Sequence, residues 1–477
     1  MQHSPVSRHP RSAIVLGGGL AGFLAAGALA RHADVTIVER DLLPEGPEPR
    51  KGLPQARHVH LLWAGGALAI EELLPGTLGA LRAQGGHYLP LPRDMVALSP
   101  RGWFRRWPPL HHMMLCSRDL LDATVRRQVL TAYGDSVTVL EGTTALGLLG
   151  GGAGVTGVRT VRDGVEEEHR ADLVVDATGR GSRATVWLRE LGFPEPPRRE
   201  IDTGLVYATR MFEAPEGAGE GFPVVNVQAD PRQGGPGRGG TLVPVEGGRW
   251  MVTLSGTRGG NPTADNEAFR PFALRLRHPV IGELIAGARP LGDVVLTRTT
   301  ASRRVYHERA RRRPDGFAVL GDALATYNPV YGHGMSVAAQ SAVALRDTVA
   351  RHGWGPGLAR RVQRSVARCV RPAWDLAVGQ DVFYPGAVPE GPTLRDRAVA
   401  AYVDRLMFAS TGTVEVAHAV TRVTSLLRGS HTLLAPRVLL AALRGPRLPQ
   451  LGGPPLTVEE LAAAGVSRAA AGAADRR

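Results

Sequence analysis

Residues 11–40, RSAIVLGGGLAGFLAAGALARHADVTIVER, decide the fold of this chain. A short apolar run, typical of a buried parallel strand, leads into Gly17-x-Gly19-x-x-Gly22, and small helix-forming residues follow. The first glycine makes the tight turn, the second lets a pyrophosphate approach the helix N-terminus, and the third lets helix and strand pack closely. A second apolar run ends in Glu39, where a carboxylate accepts from a ribose hydroxyl. The stretch predicts an adenine dinucleotide site with contacts from Gly17, Gly19, Leu20, Ala21, Gly22, Glu39 and Arg40.

Two other stretches match the same glycine spacing without this context. The match at 152–157 lies between runs typical of a β-hairpin, and the match at 235–240 lies in a loop rich in Pro, Gly and Arg. Neither opens a helix, so we interpret both as turns.

Composition excludes several classes of protein. The net charge is +13, but the arginines are dispersed and no nucleic-acid motif accompanies them, so we expect no nucleic-acid partner. Cys116 and Cys369 are the only cysteines and lie far apart, which excludes a disulfide framework or a CxxC site and fits a reducing cytosol. The N-terminus lacks the apolar core of a signal peptide, and no run approaches ~18 apolar residues. We therefore expect a cytoplasmic protein without a transmembrane helix.

Changes of pattern along the chain predict an α/β domain interrupted by a β-rich insertion. Ser117 is a candidate N-cap for a helix that begins at Arg118, and Thr457 with Glu460 is a candidate capping box. The expected divisions are a dinucleotide-binding domain at 11–90, 116–190 and 301–350, a mostly antiparallel β domain at 91–115 and 191–300, a helical region at 351–447, and a partly disordered tail at 448–477.

A second segment, GDALATYNPVYGHGM at 321–335, also has the features of a nucleotide site. An apolar run ends in Asp322, at the edge of a parallel sheet where ligands bind, and this carboxylate is placed to accept from a ribitol hydroxyl. Gly332 and Gly334 let bare backbone lie against a flat ring, and the following helix presents its positive end to the electron-rich edge of a reduced flavin. The predicted flavin contacts are Gly321, Asp322, Pro329, Gly332, His333, Gly334 and Met335.

With both segments in place, the chain resembles the class A flavoprotein monooxygenases, the group that includes p-hydroxybenzoate hydroxylase and squalene epoxidase. The resemblance spans about residues 11–350 and includes the dinucleotide fingerprint, Arg118 at the start of a central helix, and the GD…P…GxG segment. It implies an α/β fold with a Rossmann-like, glutathione reductase-type FAD domain, an inserted antiparallel β substrate domain and a helical C-terminal region. RKGLPQARHVH at 50–60, CSR at 116–118 and NPVYGHGMS at 328–336 are most similar to flavin epoxidases of polyether ionophore pathways, of the monensin and lasalocid type.

The resemblance implies an epoxidase of secondary metabolism. Such an enzyme inserts one oxygen atom from O2, by way of a C4a-hydroperoxyflavin, into C=C bonds of an apolar polyene of polyketide type. NAD(P)H or a separate flavin reductase would supply the electrons, because no second dinucleotide fingerprint is present. Family hydroxylases carry an Asp-Gly pair where Thr178-Gly179 stands here, and a histidine where Leu324-Ala325 stands. These departures concern the NADPH contact rather than the FAD site.

Epoxidation on a flavin requires orientation of the substrate and exclusion of water rather than a protein nucleophile. The sequence has no Ser/His/Asp set, no HExxH motif and no paired metal ligands, so we assign neither a catalytic nor a metal-binding residue. Arg57 is a candidate phosphate contact. We expect a largely apolar substrate cavity between the β domain and the flavin, with Tyr207, Arg210, Tyr327 and Tyr331 in its wall.

Other activities of this fold are alternatives. One is a [4+2] cyclase in which FAD takes no part in redox turnover, and another is a reductase of the geranylgeranyl type. A flavin halogenase would need a catalytic lysine and a WxWxIP segment, whereas WFRRWP at 103–108 differs and the only lysine, Lys51, lies in the dinucleotide loop. The basic segment 391–447 predicts a helical cap over the cavity, and peripheral membrane contact, as at the comparable end of squalene epoxidase, is its alternative.

Overall fold

The computed structural model describes residues 9–298 and 300–466. The strands are β1 Ser12–Leu16, β2 Asp34–Val38, β3 His87–Leu91, β4 Met95–Ser99, β5 Gly102–Trp103, β6 His111–Leu115, β7 Val137–Leu140, β8 Thr144–Gly151, β9 Gly154–Arg162, β10 Val165–Arg170, β11 Leu173–Asp176, β12 Arg198–Ile201, β13 Val206–Glu213, β14 Val224–Val227, β15 Arg238–Val245, β16 Arg249–Gly256, β17 Arg289–Pro290, β18 Val295–Thr297, β19 Ser302–Val305, β20 Phe317–Val319 and β21 Ala325–Thr326. The helices are α1 Leu20–Leu29, α2 Ala64–Leu73, α3 Thr77–Ala83, α4 Arg118–Tyr133, α5 Ala184–Glu190, α6 Asn266–Leu274, α7 Val280–Leu284, α8 Gly334–His352, α9 Leu358–Asp381, α10 Leu394–Ser410, α11 Val414–Thr424, α12 Pro436–Arg444 and α13 Val458–Ala463.

A parallel sheet of order β20-β11-β1-β2-β7 forms the centre of the dinucleotide-binding part. The apolar runs predicted as buried strands are its members, and α1, α4, α8 and α9 cover it in one continuous core. Strand β1 lies between β2 and β11, and β20 lies beside β11. The carboxyl ends of strands far apart in sequence therefore meet at one edge, as the predicted Rossmann-like fold requires.

The inserted part is built on an eight-stranded, mostly antiparallel sheet of order β17-β13-β16-β15-β14-β4-β5, with β18 also pairing with β13. One face carries alternate residues of β13, such as Ala208 and Phe212, and packs on α6 and α7. The other face carries Tyr207 and Thr209, because successive side chains of a strand point to opposite faces. This second face is the one turned toward the dinucleotide-binding part.

Neither of the two additional glycine matches opens a helix, as predicted, but both are only partly turns, because residues 154–157 belong to β9 and residues 238–240 belong to β15. Residues 152–153 connect β8 to β9, and the match at 235–240 runs from a loop into β15. The predicted helix caps are also present: Ser117 Oγ accepts from Leu120 N at 3.2 Å, and Thr457 with Glu460 forms a capping box.

The C-terminal part is helical, and much of the predicted tail is folded. Glu460 in α13 forms a bidentate pair with Arg106 at 2.6 and 2.7 Å, and Ala464 is 1% exposed in the core of the β-rich part. Of the tail at 448–477, which we expected to be partly disordered, residues 467–477 lie outside the described residues. Among the helices that the structure describes, none has the length and apolar character needed to cross a membrane.

Candidate active site

The glycines of the first segment form a close turn between β1 and α1. Gly17 has φ +96°, and a Cβ there would lie 2.8 Å from the carbonyl oxygen of Ala177. A Cβ on Gly22 would collide with the carbonyl oxygen of Gly17. At Gly19, by contrast, a Cβ would meet no protein atom within 4 Å, and α1 begins there without a side-chain cap. The turn therefore leaves an open space in front of a positive helix end.

Glu39 lies at the end of β2, as predicted, and its carboxylate is held by this turn. Oε2 accepts from Gly18 N at 2.6 Å and forms an ion pair with Arg50 at 2.9 Å. Arg50 Nη1 in turn donates to the carbonyl oxygen of Gly18 at 2.7 Å. A carboxylate has about four acceptor positions, so Glu39 keeps capacity for a further hydroxyl. Arg40 is exposed beside it.

The second segment meets the first at the sheet edge. A Cβ on Gly321 would lie 2.9 Å from the Cβ of Ala21, so α1 and the Gly321-Asp322 turn are in contact distance. Among the described residues none donates a hydrogen bond to the Asp322 carboxylate. Burial raises its pKa, and the positive charges of Arg180, Arg118 and Arg303 oppose that rise. Asp322 is thus an acceptor without a protein donor, close to the turn predicted to bind pyrophosphate.

Residues 328–334, here called the 328–334 loop, connect this carboxylate to α8. Trp63 Nε1 donates to the carbonyl oxygen of Tyr331 at 3.1 Å, and Gly332 adopts φ +64° against Leu61 and Trp63. A side chain on Gly332 would be strained by this backbone conformation. Pro329 lies at the exposed start of the turn.

His333 and Met335, both predicted flavin contacts, are buried at the start of α8. The Nε2 of His333 donates to the carbonyl oxygen of Thr424 at 2.9 Å, and burial lowers the pKa of this histidine to about 4. Its ring is therefore neutral and tied to the C-terminal helices. Met335 is 7% exposed and belongs to the central core.

Arg57 and Arg118 come from neighbouring elements. Arg57 is exposed in a short 3-10 turn, Pro54–Arg57, that packs on α4. Burial raises the pKa of Asp119 in α4, and the positive charge of Arg57 partly opposes that rise. Arg118 pairs with Asp122 at 2.7 Å at the start of α4. Both arginines thus lie near the N-terminus of one helix.

The predicted substrate residues do not all lie together. Tyr207 is buried, and its hydroxyl is 3.5 Å from Asn328 Oδ1 of the 328–334 loop, which also carries Tyr331. Tyr327 packs in the central core. The prediction for Arg210 is wrong: Arg210 lies three positions after Tyr207, on the opposite face of β13, where it donates to the carbonyl oxygens of Gly292 and Asn266.

A polar row crosses the sheet face that carries Tyr207. Strand pairing places Thr209, Thr253, Thr241 and Asn226 side by side on four adjacent strands. Thr209 and Thr253 hydroxyls are 2.6 Å apart, and Asn226 Nδ2 donates to Thr241 Oγ1 at 2.7 Å. His58 spans Thr209 and Thr297 with 2.7 Å contacts at both ring nitrogens, and burial lowers the pKa of His58 to about 4. The row is polar but uncharged at neutral pH.

Sequence reasoning missed several residues of this region. Arg50 is the first residue of the 50–60 segment that resembles the ionophore epoxidases. Its ion pair with Glu39 forms because the chain folds back on β2, and no local sequence pattern predicts that. Arg180 follows β11 at the sheet edge, and its positive charge lowers the pKa of Asp322. Its position after a buried strand was the signal that sequence reasoning overlooked. Asp381, at the end of α9, contacts the 328–334 loop through Asn328 and Tyr331.

These residues fit an FAD. The space beside Gly19, the uncapped start of α1 and the Asp322 carboxylate without a donor are complementary to a pyrophosphate and a polyhydroxyl chain. Glu39, at the end of the second strand, is complementary to a ribose. The fold and site thus define a flavoprotein of the Rossmann type.

Comparison with known proteins identifies the family. Residues 11–377 match the family model described as FAD binding domain, and the chain belongs to that family. It is 31% identical over 398 residues to Protein Rv3254 of Mycobacterium tuberculosis, covering 79% of this chain and 81% of that protein. It is 27% identical over 368 residues to a kynurenine 3-monooxygenase of Salinispora arenicola, covering 73% and 74% of the two chains.

The fold is shared with solved flavoenzyme structures. The flavin-dependent brominase Bmp2 superposes with a TM-score of 0.66 at 15% identity, covering 91% of this chain and 97% of that one. The chain is therefore an FAD-dependent oxidoreductase of the flavin monooxygenase group. The comparisons provide no support for the narrower resemblance to ionophore epoxidases.

Proposed function

We propose that this protein is a monooxygenase that epoxidises a C=C bond of a neutral, largely apolar small molecule of polyene type. The observation that carries the proposal is the uncharged wall opposite the 328–334 loop. Tyr207 and the polar row supply hydroxyl, amide and neutral imidazole groups, and none of these side chains is ionised at neutral pH.

The bound FAD, once reduced, would supply oxygen-atom transfer from O2. Residues around Gly19, Glu39 and Asp322 would hold it, and the 328–334 loop would place its ring toward the sheet face of Tyr207. The protein would then orient the alkene and exclude water. Removal of a proton from the substrate is unnecessary for epoxidation, so the lack of an ionised base in this wall agrees with the proposal.

The polar row refines the expected substrate. Asn226 Nδ2 donates to Thr241 Oγ1, which leaves the amide oxygen of Asn226 and the hydroxyl hydrogen of Thr241 for a ligand. A purely hydrocarbon ligand would satisfy neither of them, at a cost of about 1–3 kcal/mol for each unsatisfied group. Met211 and Met251, one step along the same face, belong to an apolar cluster. We therefore propose a substrate with an apolar chain and a few neutral oxygens, as in a polyketide polyene, rather than a carboxylate.

The electron donor is proposed to be NAD(P)H or the product of a separate flavin reductase. Asp176, two residues before Thr178-Gly179, is fully engaged: Oδ1 accepts from Thr178 N and Oγ1 at 2.9 and 2.6 Å, and Oδ2 accepts from Ser182 at 2.5 Å. It holds the turn after β11 and offers no free carboxylate to a nicotinamide.

The test is product analysis under 18O2. The FAD-loaded enzyme is incubated with neutral polyenes and with matched polyene acids, using NADPH alone or NADPH with a flavin reductase. We expect one 18O atom in the product of a neutral polyene, with loss of one C=C bond and lower turnover of the acids. A product that gains no oxygen and forms without reductant would identify the cyclase alternative instead, and a saturated product would identify the reductase.

A further inference from the structure

Asp381, the last residue of α9, is a buried carboxylate without a cation. It is 1% exposed, and no described lysine or arginine forms an ion pair with it. Its acceptors are used by neutral donors: Asn328 Nδ2 at 3.0 and 3.1 Å, Tyr331 hydroxyl at 2.9 Å and Ser302 Oγ at 3.4 Å. Burial of an unpaired carboxylate is costly, so its presence calls for a function.

Its main partner, Asn328, is held at both ends. The amide nitrogen donates to Asp381, while the amide oxygen accepts from Val330 N at 3.1 Å and lies 3.5 Å from the Tyr207 hydroxyl. The backbone N of Asn328 donates to Ser302 Oγ at 2.9 Å. The start of the 328–334 loop is therefore joined to α9, to β19 and to the substrate face of β13 through one carboxylate and one amide.

We propose that Asp381 is a positioning residue that, as a carboxylate, holds the 328–334 loop in the place where it contacts the flavin ring. Two of its donors, Asn328 and Tyr331, belong to this loop. A carboxylate accepts from all of its donors at once, whereas a protonated carboxyl must use one oxygen as a donor. The proposal rests on the assignment of the loop to the flavin, and it requires nothing of the substrate.

Asp381 changes its protonation state at a pH that binding experiments can reach. Burial raises its pKa to about 6, against the opposing effect of the hydrogen bonds from Tyr331, Asn328 and Ser302. The other titratable groups that face it are Tyr207 on β13 and Tyr384 after α9, both with pKa values raised by burial. These tyrosines stay neutral near pH 6. The pKa of Asp119, at the start of α4 near Arg57 and Arg118, is also raised by burial to about 6, so a transition in FAD affinity is assigned to Asp381 when Asp381→Asn abolishes it.

The sign of the effect separates positioning from simple stabilisation. Because the pKa of Asp381 is raised in the folded state, the folded protein takes up its proton more readily than the unfolded one. Its contribution to stability therefore grows as pH falls from about 6 to about 4. Over the same pH range, protonation of Asp381 weakens the hydrogen bonds that it accepts from Asn328 and Tyr331 of the 328–334 loop. Flavin affinity and this share of stability are expected to change in opposite directions.

The experiment measures FAD binding to the full-length, deflavinated protein by fluorescence and visible absorbance at several pH values. Asp381→Asn removes the charge and puts a donor where Asn328 or Tyr331 needs an acceptor. We expect about tenfold weaker FAD binding at neutral pH, the equivalent of one hydrogen bond to a charged group, and loss of the wild-type transition near pH 6. Asp375→Asn, on the exposed side of the same helix, is the matched control and should behave as wild type.

A second variant tests whether the pair itself matters. In Asn328→Asp/Asp381→Asn the acid and the amide exchange places, which restores a carboxylate–amide contact, so FAD affinity and the pH transition should partly return. Asp381→Asn is expected to be at least as stable as wild type in urea unfolding at neutral pH. A variant that keeps wild-type affinity and the wild-type transition would overturn the proposal. So would parallel loss of stability and affinity without rescue. Neither result depends on epoxidase activity.

Discussion

Gly321 and Ala21 are about 300 residues apart in sequence, and a Cβ on the first would lie 2.9 Å from the Cβ of the second. Gly321 follows β20 and Ala21 lies in the first turn of α1, on two sides of the same parallel sheet edge. This contact joins the dinucleotide fingerprint to the segment that carries Asp322. It brings the predicted pyrophosphate and polyhydroxyl contacts close enough together to serve one cofactor.

Gly19 is expected to matter to the ligand and not to the fold. Gly19→Ala would place a methyl group in the open space before α1, where it meets no protein atom within 4 Å. We expect unfolding by urea to change by less than about 1 kcal/mol, while FAD affinity falls at least about tenfold because pyrophosphate can no longer approach the backbone.

Gly79→Ala is the matched control for that variant. A Cβ on Gly79, in α3, would also meet no atom within 4 Å, and Gly79 lies outside the predicted FAD site. It should keep wild-type FAD affinity and gain a little stability. Equal FAD affinity in the two variants would contradict the assignment of the turn.

The Glu39–Arg50 pair is expected to stabilise the turn itself. Both side chains are at most 7% exposed, so Glu39→Gln leaves a buried guanidinium beside an amide. Breaking a buried pair outright typically costs about 3–5 kcal/mol. Arg50 keeps a longer contact with the Asp41 carboxylate at 3.7 Å, so we expect a smaller loss, which urea unfolding of the deflavinated protein would detect. Glu166→Gln, in the exposed pair with Arg159, should lie within about 0.5 kcal/mol of wild type. A small effect for Glu39→Gln would mean that Arg50 finds other partners.

Acid should destabilise the protein through buried histidines. The pKa of His58 is lowered by burial to about 4, so the unfolded chain binds more protons than the folded one between about pH 4 and pH 6.5. Stability therefore falls as pH decreases through this window. His58→Gln should reduce the loss between pH 6.5 and 5 by about 1.5 kcal/mol.

The corresponding control for His58 is His431→Gln, at an exposed position. It should show the wild-type decline when urea unfolding is repeated across the same pH range. If His58→Gln declines as steeply as this control, the imidazole is not held neutral between Thr209 and Thr297.

Glu460 should attach the C-terminal segment to the β-rich part. Glu460→Gln weakens the bidentate contact with Arg106, and we expect a loss of about 1–2 kcal/mol together with faster proteolysis after residue 447. Glu459→Gln alters the neighbouring exposed carboxylate, which interacts with Thr457 of its own helix and not with Arg106, and should leave the rate of proteolysis unchanged. Equal proteolysis of the two variants would show that this segment is held by other contacts.

The parts of the structure that were predicted depend on local patterns. The buried strands, the glycine turn and the Gly321-Asp322 element each combine an apolar run with residues of special backbone freedom, and these signals are contained in short windows. Their meeting at one sheet edge follows from parallel strands, whose carboxyl ends share an edge.

The parts that were missed depend on contacts distant in sequence. The row from Thr209 to Asn226 becomes visible only once four strands are paired in register. Asp381 lies in an ordinary helical sequence, and its partners are contributed by other elements. The error at Arg210 was avoidable from the sequence. Side chains alternate between the two faces of a strand, so Arg210, three positions after Tyr207, could not share the predicted cavity wall with it.

The most direct test of the central claim is an FAD titration of the purified, deflavinated chain, followed by visible absorbance. The account predicts that one FAD binds per chain, and that Gly19→Ala in the first segment and Asp322→Asn in the second each weaken the same binding event. A protein that stays colourless in excess FAD, or one whose flavin affinity responds to only one of the two segments, would contradict it.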